Sequence, residues 1–328
     1  MRLVYCEKAY LPIGEHVFRP EKYSAMRECL LNAGAFREGD FLAPLPCRED
    51  DLLLVHTPLW VEKICRGTMS IREELELEVP YSRELAEAFC YMAGGSILAA
   101  ELALRDGCCV HIGGGFHHAF ADHGEGFCLI NDIAIAIRCM QHEGRIARAM
   151  VVDCDVHQGN GTATIFGSGA REVFPMQPAR MLSERAAHIE SSPARDVFTI
   201  SLHQENNYPY WKPPSSIDVN LPDGTTDAEY LHWLEKALEK ALQLFEPQLV
   251  CYVAGADPFA EDQLGGLGLS IEGLRQRDLR VFRFAREHGF PVMATLAGGY
   301  ARRPADTVAI HVNTALAAKE VFGNCEKS

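Results

Sequence analysis

The segment Asp153-Cys154-Asp155-Val156-His157 sets two carboxylates and an imidazole at alternate positions. In an extended chain alternate side chains share a face. A carboxylate and an imidazole two residues apart can therefore grip one metal ion. In isolation such a pair more often caps a loop or faces water. A second segment, Gly255-Ala256-Asp257, offers a further carboxylate. As a third ligand it would leave a coordination position open for water and substrate, as a catalytic zinc site requires. Alone, it reads as an N-cap or turn residue. The run Gly113-Gly114-Gly115-Phe116-His117-His118 joins a backbone that can approach a ligand closely to two consecutive histidines. One can take a proton from water while the other stabilises charge. The plain alternative is a loop with two solvated histidines. The run is no dinucleotide fingerprint, because His118 stands where the last glycine belongs, and no Gly-Lys-Ser/Thr follows to make a phosphate loop. Gly298-Gly299-Tyr300 can present a phenol to a developing oxyanion, or simply pack the ring at a turn. Gly126-Phe127-Cys128 supplies a ring that either walls a narrow slot or packs in the core.

These segments need elements to position them. Short apolar runs predict strands over 3–6, 108–112, 149–153, 197–202, 249–254 and 292–296. Amphipathic stretches predict helices over 21–32, 83–104, 132–142, 227–245, 271–288 and 305–321. This alternation is the signature of a mainly parallel sheet covered by helices on both faces. Ligands bind such sheets beyond the carboxyl ends of the strands. All five constellations follow predicted strands, and that joint placement favours one shared site over five separate plain readings. Segment 175–195, with three prolines and several charges, breaks the rhythm and reads as an inserted surface loop. No linker divides the chain, so one domain over 1–328 is expected.

Composition excludes several classes. The chain has 328 residues, 48% of them hydrophobic, enough for a large core. The formal charge of −14 and the lack of a basic patch argue against nucleic acid and suit a cationic substrate. The 12 cysteines form no CxxC pair; most lie in apolar stretches, such as Cys108, Cys109 and Cys251, and read as small buried hydrophobes of a reducing compartment. The N-terminus shows no long apolar run ahead of a cleavage site, and the most apolar stretch, 91–104, contains Glu101 and is too short to span a bilayer. A cytoplasmic protein without membrane attachment is expected.

Taken together, the motifs resemble the histone deacetylases and their bacterial relatives. The matching residues run from His16 to Tyr300. They include GGGFHHA at 113–119, GFCLIND at 126–132, VDCDVHQGNG at 152–161, ISLH at 200–203, AGAD at 254–257 and AGGY at 297–300. The stretch DQLGGLGLS at 262–270 looks most like the class IV branch. The resemblance implies the arginase–deacetylase fold, a three-layer α/β domain. It implies one catalytic metal on Asp155, His157 and Asp257, zinc or alternatively iron(II). His118 would be the general base and acid, His117 its electrostatic partner, and Asp153 the carboxylate that orients His117. Tyr300 would bind the substrate carbonyl. Gly126, Phe127, Tyr208 and Leu264 would line the acyl-lysine channel. A structural potassium is implied near Asp153, Asp155 and His157 and near Ser201 and Leu202. Asn160 stands where many relatives carry an aspartate behind the second histidine, so a less basic His118 is expected. Lys22 stands near the position where an arginine lines the inner exit channel of some relatives. The implied substrate is an acylated lysine in a protein or peptide. An acetylpolyamine is the alternative, and a catalytically silent binding module is the alternative of another class. Binuclear manganese ureohydrolases share the fold but need two more carboxylates, and here those places hold Gly159 and Phe259.

Overall fold

The computed structural model describes residues 1–167, 188–191 and 196–323. Among these residues nine strands form one sheet: β1 (Arg2–Val4), β2 (Phe41–Leu42), β3 (Cys108–His111), β4 (Ala149–Asp153), β5 (His188–Ser191), β6 (Val197–Gln204), β7 (Ile217–Leu221), β8 (Leu249–Val253) and β9 (Val292–Thr295). They lie in the order β2-β1-β3-β9-β8-β4-β6-β7-β5. Every pairing is parallel except that of β5 with β7. The helices are α1 (Glu21–Asn32), α2 (Glu49–Leu53), α3 (Pro58–Arg66), α4 (Ile71–Leu77), α5 (Arg83–Asp106), α6 (Asp132–His142), α7 (Asn160–Phe166), α8 (Asp227–Leu244), α9 (Ile271–Glu287) and α10 (Pro304–Phe322). One layer is built around α5 and α6, which pack on each other; α9 packs between α8 and α10 in the other, with α1 against α10.

The six predicted strands and six predicted helices all form, with ends shifted by no more than two residues. The strands were legible because a parallel strand covered on both faces reads as an unbroken apolar run; β4 and β8 are buried at every position. Helices α2, α3 and α4 escaped notice because five to nine residues give too few turns for a periodicity to stand out. Helix α7 opens with Asn160-Gly161-Thr162, all poor helix formers, so only its packing reveals it.

Two expectations need correction. Segment 175–195 is not loop throughout: His188–Ser191 forms the edge strand β5, paired antiparallel with β7. Its other positions, 175–187 and 192–195, lie outside the described residues. The stretch 91–104 belongs to the 24-residue α5, which is long and apolar enough to cross a membrane. Within the fold, however, 72% of its apolar window is buried, and α5 packs on α6, β3 and β9.

Strand register places the chemistry. β3, β9, β8 and β4 are consecutive neighbours in the sheet. Their registers pair Asp153 with Val253, Val253 with Thr295, and Val110 with Ala294, so the four carboxyl ends finish almost level. Backbone bonds continue past those ends: Cys154 N to Val253 O (3.0 Å), Ala254 N to Thr295 O (2.8 Å), Ala256 N to Gly298 O (2.8 Å), Leu296 N to Gly113 O (3.1 Å) and Ala297 N to Gly114 O (3.1 Å). Four loops that are far apart in sequence are thereby stitched into one floor.

Candidate active site

Asp155, His157 and Asp257 converge on that floor, with one ligand atom of each lying within 4.8 Å of the others. Backbone donors hold the carboxylates. His157 N donates to Asp155 Oδ1 (3.0 Å), Gly298 N to Asp155 Oδ2 (2.9 Å) and Val156 N to Asp257 Oδ1 (2.9 Å). Position 298 must be glycine, because a Cβ there would stand 1.9 Å from Asp257 Oδ2. That same Oδ2 is buried without a hydrogen bond, with His157 Nδ1 standing 3.4 Å from it. An orphaned buried carboxylate oxygen is costly unless a cation meets it.

The electrostatics agree. Burial and the neighbouring Asp155 carboxylate push Asp257 up to about 7. Burial would lower His157, yet Asp155 and Asp257 outweigh it and lift it to about 10. A pocket that draws a proton so strongly is one of negative potential, and an oxygen-nitrogen donor set of this kind suits zinc or iron(II). The residues therefore fit a single metal ion.

The two histidines stand beside this cluster with different partners. His117 Nδ1 meets Asp153 Oδ2 at 2.7 Å. Burial opposes its charge, but Asp153 and Asp155 raise it to about 9. His118 Nδ1 meets Asn160 Oδ1 at 2.7 Å. Burial and the nearby His117 and His157 hold it well below the usual imidazole range. His117 is thus biased toward its charged form and His118 toward its neutral form. Tyr300 is buried, and burial together with the Asp155 and Asp257 carboxylates keeps its phenol protonated.

A cavity of about 210 Å³ opens over the cluster, and Gly126, Phe127, Tyr208, Leu264 and Tyr300 all line it. Phe127 stands edge-on to Tyr300, with ring centroids 6.1 Å apart, and Tyr208 stands edge-on to His118 at 4.9 Å. Phe127 reaches the cavity from a tight turn in which Gly126 and Phe127 both have positive φ, 53° and 67°. For phenylalanine that conformation is strained, and strain of this kind gathers at functional sites. Ser201 and Leu202 lie on β6 away from the cavity lining, with Ser201 the register partner of Asp153. Lys22 is buried behind the cavity, donates to Ala297 O (2.9 Å), and is lowered by burial to about 8.

Four supporting residues were not singled out from sequence. Asp262 accepts from Tyr300 N (2.7 Å), Leu264 N (2.8 Å) and Gly265 N (3.0 Å), joining the tyrosine to the channel wall. Its place in the DQLGGLGLS stretch was the available signal. Asp132, the last residue of GFCLIND, accepts from Gly115 N (3.1 Å) and Phe116 N (2.7 Å) and so shapes the histidine loop. Arg277, fully buried in α9, donates to Cys154 O (3.2 Å) and Gly255 O (2.5 Å), tying together the two ligand loops. Glu125 accepts from Asn160 Nδ2 (2.8 Å) and from the Tyr208 hydroxyl. Nothing in the local sequence marked Arg277 or Glu125.

Comparison with known proteins adds to this geometry. Residues 16–316 match the histone deacetylase domain. The chain is 36% identical to an uncharacterised protein of Picosynechococcus sp., over 98% of this chain and 99% of that one. It is 33% identical to histone deacetylase 2 of Arabidopsis thaliana, over 90% of this chain and 72% of that one. The solved HD domain of HDA15 superposes with a TM-score of 0.74 at 22% identity, over 99% of this chain and 91% of that one, which shows the arginase–deacetylase fold. With most of its length matched to one domain and that fold beneath it, the chain belongs to the histone deacetylase family of hydrolases.

Proposed function

We propose that this chain hydrolyses the amide bond of an acylated lysine side chain. The observation that carries the reading is the buried Asp155–His157–Asp257 cluster, with its orphaned Asp257 oxygen, on the floor of a cavity that also holds His118 and Tyr300. Zinc held by those three ligands would act as a Lewis acid on the amide carbonyl and activate water at neutral pH. His118 keeps its own proton on Nδ1, facing Asn160, so Nε2 takes the proton of the attacking water and delivers it to the leaving amine. His117, held as a cation by Asp153, stabilises the negative charge that builds up beside it. The Tyr300 hydroxyl donates to the carbonyl oxygen as it becomes an oxyanion. Phe127, Tyr208 and Leu264 enclose the alkyl stem and exclude water. A structural potassium at the Asp153–His157 backbone and Ser201–Leu202 is part of the same proposal, supported by the register pairing of Asp153 with Ser201.

A second reading, an acylated polyamine as substrate, is favoured by one observation. Glu73, Glu76, Glu78, Asp122 and Glu125 outnumber Arg72 and His123 along a surface groove that shares Glu78 and Tyr208 with the catalytic cavity. A polycation would be drawn to that rim. Turnover of acyl-lysine peptides and acylpolyamines by the purified, zinc-supplied protein tests both readings together. Acyl-lysine turnover supports the first, and release of acetate from polyamines alone replaces it by the second. No turnover of either leaves a silent module.

Two further outcomes are expected. Tyr300→Phe lowers kcat by about two to three decades, because only the oxyanion loses a donor. A kcat near wild type would remove Tyr300 from the mechanism. The class IV likeness at 262–270 leads us to expect that chains longer than acetyl are accepted. Each extra buried CH₂ adds roughly 0.8 kcal/mol where there is room. A second cavity of about 650 Å³ shares Tyr300 and abuts Lys22, so apolar space lies behind the site. For acetyl-, octanoyl- and myristoyl-lysine peptides of one sequence, kcat/KM is expected to hold or rise beyond acetyl; a steady fall would leave a plain deacetylase.

A further inference from the structure

Glu125 enters no step above, yet it is joined to the proton-transfer histidine by a short chain of bonds. Asn160 Nδ2 donates to Glu125 Oε1 (2.8 Å), and Asn160 Oδ1 faces His118 Nδ1 (2.7 Å). The Tyr208 hydroxyl donates to the same carboxylate oxygen. Glu125 Oε2 lies 3.7 Å from His123 Nε2, which backs the other side of the carboxylate.

The direction of this chain follows from what each group can do. An ionised carboxylate only accepts hydrogen bonds. Asn160 must therefore turn its amide nitrogen toward Glu125, which turns its oxygen toward His118. An oxygen at Nδ1 requires a proton on that nitrogen, so Nε2 is left bare. Without the carboxylate the two ends of the asparagine amide are nearly interchangeable. A flipped amide would donate to Nδ1 and move the ring proton to Nε2, where it would block proton acceptance. Through Tyr208 the same oxygen also fixes a ring that stands at 81° to His118.

We propose that Glu125 is a positioning residue for the proton transfer: it orients the Asn160 amide, and thereby holds His118 as the tautomer whose Nε2 is free. The reading of Asn160 as a neutral substitute for aspartate is then incomplete, because a carboxylate stands one link further out. The kinetic consequence rests on the acyl-lysine hydrolase reading, whereas the tautomer does not.

The test uses ring-nitrogen NMR of the zinc-supplied protein with labelled histidine, His118 being assigned by its loss in His118→Ala. The wild type shows the Nδ1-protonated form. In Glu125→Ala an Nε2-protonated population appears, and kcat falls about ten- to a hundredfold with KM changed by less than about threefold, the size of a partly disabled acid–base group. Glu125→Gln keeps an oxygen acceptor for Asn160 and Tyr208, and restores both the tautomer and most of kcat. An unchanged His118 tautomer in Glu125→Ala, or a Glu125→Gln as impaired as the alanine variant, overturns the proposal. If the wild type turns over no acylated amine, the functional reading fails, and the tautomer in Glu125→Ala still decides the role of Glu125.

Discussion

His118→Ala is expected to lower kcat by about three decades while leaving the metal content unchanged, as the loss of a general acid–base group does. His118 is bonded through Nδ1 to Asn160 and is not one of the clustered Asp155, His157 and Asp257. Its ring is buried and neutral, so nothing in the charge balance of the ligand pocket depends on it. Truncation removes the atom that receives the proton of water and returns it to the amine. His117 does not replace it, because its Nδ1 is engaged by Asp153, which favours the charged ring. Elemental analysis beside steady-state kinetics checks the claim. A variant that turns over like wild type would take His118 out of the proton path, and one that also loses metal would make it a structural residue.

Asp257→Asn should reduce bound transition metal from one equivalent to a small fraction of that, and activity with it. The substitution is close to isosteric, and an asparagine oxygen can still accept from Val156 N, so the loop is kept. What changes is the orphaned Oδ2, which becomes an amide nitrogen with two protons facing the other ligands. In the metal-free fold the variant removes one of two buried carboxylates that repel each other but also the 3.4 Å ion pair with His157, so its own metal-free Tm is the baseline. The thermal readout therefore separates the two states. Zinc at about a hundred times its Kd stabilises a protein by about 2.7 kcal/mol. The wild type should show that rise in Tm on adding zinc, and Asp257→Asn should not. Two tightly bound equivalents in the wild type would refute the single-metal reading drawn from Gly159 and Phe259. Unchanged metal content in the variant would remove Asp257 from the ligand set.

The residues of the site differ in how readable they are in the sequence. Asp155 and His157 stood out because a period of two places them on one face of an extended segment. His117 and His118 stood out because two adjacent histidines after three glycines have few plain explanations. Glu125 and Arg277 did not stand out. Arg277 is one of several charged residues on the amphipathic helix α9, and only its burial against Cys154 O and Gly255 O shows what it does. The partners of Glu125 lie 35 and 83 positions away, beyond any local pattern.

The division has a physical cause. Local patterns carry whatever depends on neighbours along the chain: the unbroken apolar runs of β4 and β8, the caps and stripes of the long helices, and the polar residues that begin where each strand ends. These were enough to predict which segments face the carboxyl edge of the sheet. They could not say that β3, β9, β8 and β4 are consecutive neighbours, nor that their ends lie level, because strand order and register are settled by hydrogen bonds between segments far apart in sequence. That pairing alone brings Asp257 Oδ1 to Val156 N across 101 residues and Asp155 Oδ2 to Gly298 N across 143, and so turns separate loops into one site.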